Sequence, residues 1–449
     1  MAFLWLAQDT WWIAALIGLG LVGLAAIFHY TFLVRLPLWI LRHTLYRLHV
    51  YGADKIPSVG PALLVCNHVG YIDALLVLAA QKRPIRFLIW APFLGVPFLR
   101  WILRLGKVIP VDSTAGPRAI VQSLRTASDA LAKGEVVCIF AEGGISRTGF
   151  LLPFQRGFEQ IVKRTPVPII PVCLDHVWGS IFSYQAKRFF WKLPQHLPYH
   201  VHVSFGSPMP PTTAAFKVRQ AIQHLSADSA IRRSAQRRPV HRQFIRMAAS
   251  HPWRPCIVDA NAVKPVVKYG EVLAGAKILT KRLRAPLQGD AMVGIWLPPS
   301  LAGVLANICV SFLGKTAVNL NYSSTPDIVR SAIRQCGIRH ILTSRLFTHK
   351  VPLDPGPDVT LIHLEDFRKT VTNWERVRTL ISVLLLPGLV QERWVLGLGK
   401  QSDAPATVIF SSGSTGEPKG VVLTHANIAA NAESIIQAVD PGPRDRLLG

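Results

Sequence analysis

Three short apolar runs dictate the architecture of the first half of the chain: ALLVC at 62–66, VVCIF at 136–140 and VPIIPV at 167–172. Each has the length of a buried strand, and helical patterns separate them. The first two end in polar, glycine-containing loops, Asn67-His68-Val69-Gly70-Tyr71-Ile72-Asp73 and Ala141-Glu142-Gly143-Gly144-Ile145-Ser146-Arg147. Strands alternating with helices predict an open α/β sheet with its site at the strand ends.

His68 and Asp73 are five residues apart. On one regular helix they would point about 140° away from each other. The pair meets only if His68 lies in the loop and Asp73 near the start of the following helix, a bend that Gly70 permits. Such a pair suits general-base chemistry: the carboxylate fixes the tautomer and the imidazole takes a proton from a hydroxyl. A loop His beside a helix-capping Asp is the ordinary reading of this spacing alone. The surrounding strand and loop pattern favours the chemical one.

Residues 10–34 contain no Asp, Glu, Lys or Arg. That run is long enough to cross about 30 Å of hydrocarbon, which predicts an N-terminal transmembrane helix. Trp11, Trp12 and Tyr30 suit the interfaces. Asp9 precedes the run and Arg35, Arg42, Arg47 and Lys55 follow it, so the bulk of the chain is expected on the cytoplasmic side of the inner membrane. A cleaved signal peptide would need a basic leading region, which is missing. Residues 35–49 are expected to form an interfacial helix.

The chain holds 50 Lys and Arg against 25 Asp and Glu, a formal charge of +25, which calls for a polyanionic neighbour. Seven arginines between Asp228 and Asp259, with no acid among them, mark a basic linker that suits anionic lipid. No zinc finger, helix-turn-helix or aromatic-interleaved sheet accompanies them, so nucleic acid is not expected as a partner. APFLGVPFLRWIL at 91–103 is rich in Phe, Leu and Trp with Arg100 and Arg104 interleaved, and suits either core or lipid headgroups. The six cysteines show no C-x-x-C spacing, which argues for reduced structural thiols and no metal site.

From about residue 257 the α/β pattern resumes. YGEVLAGAKILTKRLR at 269–284 reads as an amphipathic helix; AMVGIWL at 291–297, TAVNLN at 316–321, HILTS at 340–344 and the run at 406–410 read as strands. The last run enters Ser411-Ser412-Gly413-Ser414-Thr415-Gly416-Glu417-Pro418-Lys419-Gly420. Small residues let backbone N–H groups approach phosphate oxygens, hydroxyls add donors and Lys419 adds charge. The spacing is not that of a Walker A loop. LISVLLLPGLV at 380–390 is too short to span and is expected to dock on membrane or core.

NHVGYID at 67–73, FAEGGISR at 140–147 and VPIIPV, in that order, resemble the glycerolipid acyltransferases. The resemblance covers roughly residues 50–206. It implies His68 as general base, Asp73 as its orienting partner, and Glu142 and Gly143 as groups holding the acceptor, with Arg147 reaching a phosphate. The donor would be an acyl thioester, acyl-ACP or acyl-CoA, and acyl transfer would need no cofactor. Three positions depart from the family pattern: Ala141 replaces a Pro, Ile145 an Arg, and Asp112 an Arg that Lys107 or Arg118 would replace. These changes favour a lysophospholipid over doubly charged glycerol phosphate.

SSGSTGEPKG resembles the phosphate loop of the adenylate-forming enzymes, with YGEVL and FLGKTAVNLN as weaker matches. That likeness covers roughly residues 250–449. It implies Ser412, Gly413, Ser414, Thr415, Gly416 and Lys419 as contacts for ATP phosphates, with magnesium. The two resemblances together are similar to bifunctional acyltransferase and acyl-ACP synthetase enzymes.

The expected domains are a membrane anchor and interfacial helix at 1–49, an acyltransferase α/β domain with an open mixed sheet at 50–206, a basic linker at 207–256, and an incomplete α/β adenylating domain at 257–449. The sequence stops about thirty residues beyond Lys419, so ligase activity is not expected of it alone. The alternatives are a synthetase completed by a second polypeptide and a catalytically silent membrane scaffold.

Overall fold

The computed structural model describes residue 18 and residues 35–449, except residues 113, 185–187, 190–193, 195–196, 235–236, 260–263, 397–401, 412–416, 443–444 and 448–449. The chain divides into two compact units at Ile231/Arg232, with Gln437–Gly442 grouped with the first unit and Pro443–Gly449 with the second.

In the first unit the strands are β1 (Tyr46–Tyr51), β2 (Ala62–Cys66), β3 (Ile85–Trp90), β4 (Ile109–Val111), β5 (Val136–Phe140), β6 (Ile169–Asp175) and β7 (Tyr199–Phe205). They form one sheet in the order β1-β7-β6-β2-β5-β3-β4. All neighbours are parallel except β6 and β7. The central strands β2 and β5 are apolar at every position because both faces are covered. Ala62, Leu64 and Cys66 enter one apolar cluster, while Leu63 and Val65 enter the other. Cys138 and Val137 of β5 divide the same way, following the two-residue period of a strand.

The expected transmembrane helix is overturned. No helix among the described residues is long and apolar enough to cross a membrane. The run at 10–34 lies, apart from residue 18, outside the described residues. Crossing takes about 20 apolar residues in one helix. The first described helix, Leu36–Thr44, has nine and carries Arg42 and His43 in its last turn. The interfacial helix expected over 35–49 is correspondingly shorter, since the chain turns into β1 at Tyr46 and pairs with β7 there.

The second unit holds a six-stranded sheet of β10 (Met292–Trp296), β11 (Thr316–Asn319), β12 (His340–Thr343), β13 (Thr360–His363), β14 (Pro405–Ser411) and β15 (Lys419–Thr424). Its order is β13-β12-β10-β11-β14-β15, parallel except for the last pair. A separate two-stranded ribbon joins β8 (Pro255–Val258) to β9 (Val266–Lys268). The amphipathic pattern at 269–284 forms a helix over Tyr269–Leu283. Ile341 and Leu342 go to opposite clusters, as do Ala317 and Val318.

Helices at Ala215–Ser234 and Val240–Ser250 carry much of the basic segment. Several of its arginines are bound internally. Glu392 is fully buried and accepts from Arg242 at 2.6 Å and from Arg246 at 2.6 Å. Glu433 pairs with Arg237 at 2.8 Å and Arg233 at 3.8 Å. All six cysteines are free. Burial pushes the Cys309 thiol up to about 12 and Cys66 well above its ordinary value, which disfavours reactive thiolate.

Candidate active site

The fully buried β2 delivers the chain to Asn67, whose amide holds both backbone groups of Leu174 on β6: Nδ2 donates to the carbonyl at 2.9 Å and Oδ1 accepts from the N–H at 2.8 Å. That clamp fixes where the loop leaves the sheet. The next residue, His68, is held at both backbone groups. Its N–H donates to Glu142 Oε1 at 3.0 Å, and its carbonyl accepts from the Ser146 N–H at 2.9 Å. Gly70 then passes close to another loop. A Cβ there would lie 3.0 Å from the Phe182 carbonyl oxygen, which accepts the Tyr71 N–H at 3.1 Å.

The loop enters the helix Asp73–Ala79, with Asp73 in its first turn. Its Oδ2 accepts from His68 Nδ1 at 2.9 Å, from the Val69 N–H at 2.6 Å and from the Gly70 N–H at 2.9 Å. His68 Nδ1 is therefore the protonated nitrogen of the neutral ring, and Nε2 carries the lone pair. Asp73 is completely buried, whereas the His68 side chain keeps 21% of its exposure. The Phe140 ring stacks on the imidazole, 4.2 Å between centroids at 19°, and fixes its plane. A base with a free nitrogen, an orienting carboxylate and a braced backbone is thus assembled from three strand ends.

Glu142 belongs to this assembly. It follows β5, and Gly143 beside it has φ of 73°, which only glycine adopts without strain. Its two oxygens are both used within the protein, Oε1 by His68 and Oε2 by the Leu152 N–H at 3.1 Å. Burial outweighs those two donors and pushes its carboxyl up to about 7. The folded value lies above the unfolded one, so the group's stabilisation is complete below about pH 4.5 and is lost as pH rises through about 7. Glu142→Gln removes this titration and sets an NH2 against one backbone N–H. The difference in melting temperature between the native chain and Glu142→Gln is expected to shrink by about 2–4 °C between pH 4.5 and 8, as read by calorimetry. A pH-independent difference would contradict the burial argument.

Gly143 and Arg147 are exposed. Arg147 sits 5.5 Å from the centroid of the Tyr184 ring, and its carbonyl accepts the Trp178 Nε1–H at 3.1 Å. The structure brings His68, Asp73 and Glu142 together by hydrogen bonds and shows none from Arg147 to those three. Asp112 turns its carboxylate onto its own loop, accepting from the Thr114 N–H at 2.9 Å and hydroxyl at 2.6 Å, which hold its carboxyl below the usual range. Lys107 lines a cleft of about 630 Å3 with Arg86, Arg100 and Arg104, while Arg118 is not part of that lining. The turn Ala91–Gly95 supplies Leu94 and Gly95 to the cleft and also Phe93, whose ring meets Tyr71 of the His68 loop edge-on at 5.9 Å. Sequence reasoning gave Asn67 and Phe140 no role, and read Arg100 and Arg104 as facing lipid headgroups rather than as one cleft with Lys107. The signals available were a polar residue at the end of an apolar strand, an aromatic closing β5, and the Arg100–Arg104 spacing of one helical turn.

In the second unit, Lys419 opens β15 and is exposed, paired across the hairpin with Ser411. Ser412, Gly413, Ser414, Thr415 and Gly416 lie outside the described residues. Among the described residues, no group of three or more His, Cys, Asp or Glu is placed to hold a metal ion.

Comparison with known proteins gives a separate match for each unit. The model of the family described as acyltransferase matches residues 47–175, and that of the AMP-binding enzymes matches residues 244–449. A chloroplastic 1-acyl-sn-glycerol-3-phosphate acyltransferase of Brassica napus is 28% identical over 148 residues, covering 33% of this chain and 42% of that one. The alpha form from Mus musculus is 31% identical over 148 residues, 32% of this chain and 50% of that one. A 4-coumarate–CoA ligase of Oryza sativa is 27% identical over 207 residues, 45% of this chain and 35% of that one. The chain therefore spans half or less of the length of each of these relatives. Among solved structures, the 1-acyl-sn-glycerophosphate acyltransferase of Thermotoga maritima is 23% identical with a TM-score of 0.33, covering 40% of this chain and 70% of that one. The O-succinylbenzoate coenzyme A synthetase of Bacillus subtilis is 22% identical with a TM-score of 0.34, covering 45% of this chain and 47% of that one.

Proposed function

Since the chain joins an acyltransferase domain, homologous to the 1-acyl-sn-glycerol-3-phosphate acyltransferases, which are enzymes, to an AMP-binding domain, we propose that it moves a fatty acyl group from an acyl thioester to a lysophospholipid or acylglycerol phosphate hydroxyl at a membrane surface. The 2.9 Å bond between His68 Nδ1 and the buried Asp73 carries this reading. His68 Nε2 removes the acceptor hydroxyl proton as the oxygen attacks the thioester carbonyl. Asp73 stabilises the imidazolium. The tetrahedral intermediate collapses, the C–S bond breaks, and the imidazolium returns its proton to the departing thiolate. The products are the ester and a free thiol of acyl-ACP or acyl-CoA origin. The reaction needs no oxidant and no group beyond the two substrates.

The cleft of Arg86, Arg100, Arg104 and Lys107 supports an anionic acceptor, because clustered guanidinium groups bind phosphate oxygens by charge-assisted hydrogen bonds. Arg86 is committed to Glu135 at 2.9 Å and to the Lys107 carbonyl at 2.7 Å, which leaves Arg100, Arg104 and the Lys107 side chain as the better candidates. Arg104→Glu is expected to raise KM for a lysophospholipid acceptor about tenfold with little change in kcat, in line with the loss of one charged hydrogen bond. The reading itself is tested by incubating the full chain with acyl-CoA or acyl-ACP and lysophospholipid vesicles, and measuring thiol release and diacyl product. Thiol release without diacyl product, or no reaction with any acceptor, would sink it.

For the second unit we propose that residues 412–416 and Lys419 meet the phosphates of ATP, so that this unit works with carboxylate activation. The strand-loop-hairpin pattern and the AMP-binding match support that reading.

A further inference from the structure

The second unit carries an apolar surface that the acyl-transfer chemistry does not use. It lies on the helix Asn373–Leu385, which is held firmly on one side. The Thr372 side chain caps its start by accepting the Glu375 N–H at 3.2 Å. Glu375 pairs with Arg282 through both oxygens, at 2.7 and 2.5 Å. Ser382 accepts from Lys277 at 2.7 Å, and Val383 is completely buried in the core. The opposite side is bare. Trp374 is 73% exposed, Val377 49%, Ile381 47% and Leu385 75%. At about 100° per residue these four fall within an arc of about 80°. An outward stripe of this size is not how a helix facing water is normally composed.

We propose that this helix lies in the plane of an anionic lipid bilayer, with the stripe inserted among the headgroups and upper acyl chains. Charge selects this occupant. Exposed Arg378 lies about 20° beyond one edge of the stripe, while exposed Arg376 is on another face, and no ion pair involves either among the described residues. The helix's single acid, Glu375, is already engaged by Arg282. Apolar residues and Trp on one arc with an arginine at its margin match an interfacial helix, which sinks about 5–10 Å into the headgroup boundary. A second copy fits poorly. Two-fold pairing through the stripe would bring Arg378 toward its own image, on a chain of net charge +25. The stripe is also about 17 Å long and about 10 Å wide, well short of the about 800 Å2 per partner that a stable dimer buries.

The experiment places an environment-sensitive fluorophore on Ile381→Cys in the full chain, with the native chain treated alike as the background for Cys256 and Cys336. Adding phosphatidylglycerol–phosphatidylcholine vesicles is expected to blue-shift and brighten the emission, with quenching by a lipid-borne quencher and a weaker response to phosphatidylcholine alone. In the same labelled background, Arg378→Gln, an exposed change that leaves the core intact, is expected to raise the half-saturating lipid concentration about fivefold. Vesicle-bound protein whose fluorophore stays in water overturns the proposal. So does a blue shift that follows protein concentration without vesicles, which would mark a second copy. An unchanged lipid midpoint in the Arg378→Gln variant overturns the choice of anionic lipid.

Discussion

His68→Ala is expected to lower kcat for acyl transfer by about 10²- to 10⁴-fold, the range that a positioned general base supplies. KM for the acceptor should change little, because the cationic cleft is lined by other residues. The fold should survive. The imidazole is partly exposed, and the loop is held by the His68 backbone, by Asn67 and by Glu142 rather than by the ring. Thiol release measured under saturating thioester, beside a circular dichroism spectrum, decides the matter. A rate equal to the native one would mean that the acceptor hydroxyl loses its proton elsewhere.

Asp73 should divide by substitution in a way that separates its two duties. One oxygen gathers three donors, from His68 Nδ1, Val69 and Gly70, while Oδ1 is buried without a hydrogen-bond partner. Asp73→Asn can keep its carbonyl oxygen in front of all three donors, because two of them are backbone N–H groups that would reject an NH2. The tautomer of His68 is then preserved and only the charge is lost. A cost of about 1–2 kcal/mol, roughly 5- to 30-fold in kcat, follows from the difference between charged and neutral hydrogen bonds. Asp73→Ala abandons all three donors. It is expected to cost about 10²- to 10⁴-fold in kcat, and several kcal/mol of stability, since each buried unsatisfied donor costs about 1–3 kcal/mol. Equal losses in the two variants would show that Asp73 acts through its charge alone.

The parts of this structure that were legible in the sequence share a cause. ALLVC, VVCIF and VPIIPV announce buried strands because every position is apolar, and His68, Asp73 and Glu142 stand at the ends of such strands. The strands β1 and β7 were harder to read. YRLHVY and YHVHVSF mix His and Arg into their alternation, and they pair with each other at residues more than 150 apart, a contact no local window reveals. The role of Glu142 was half visible. Its place beside the base followed from the motif, but its two backbone partners depend on how residue 152 returns to the site. The uncharged run at 10–34 met the length criterion for a membrane span, yet no described helix meets it, and the helix at Leu36–Thr44 stops after nine residues as β1 captures the chain.

The buried carboxylate of Glu392, shared by Arg242 and Arg246, changes what the surplus of positive residues means. Four of the seven arginines between Asp228 and Asp259 share two carboxylates, Glu392 and Glu433, which offset two of their four charges. A bare tally of basic residues therefore exaggerates the field felt by dissolved ions. Ionic strength should weaken attraction at the surface and the half-exposed Glu433 pairs while leaving the Glu392 pairs nearly untouched, since counterions screen poorly what water does not reach.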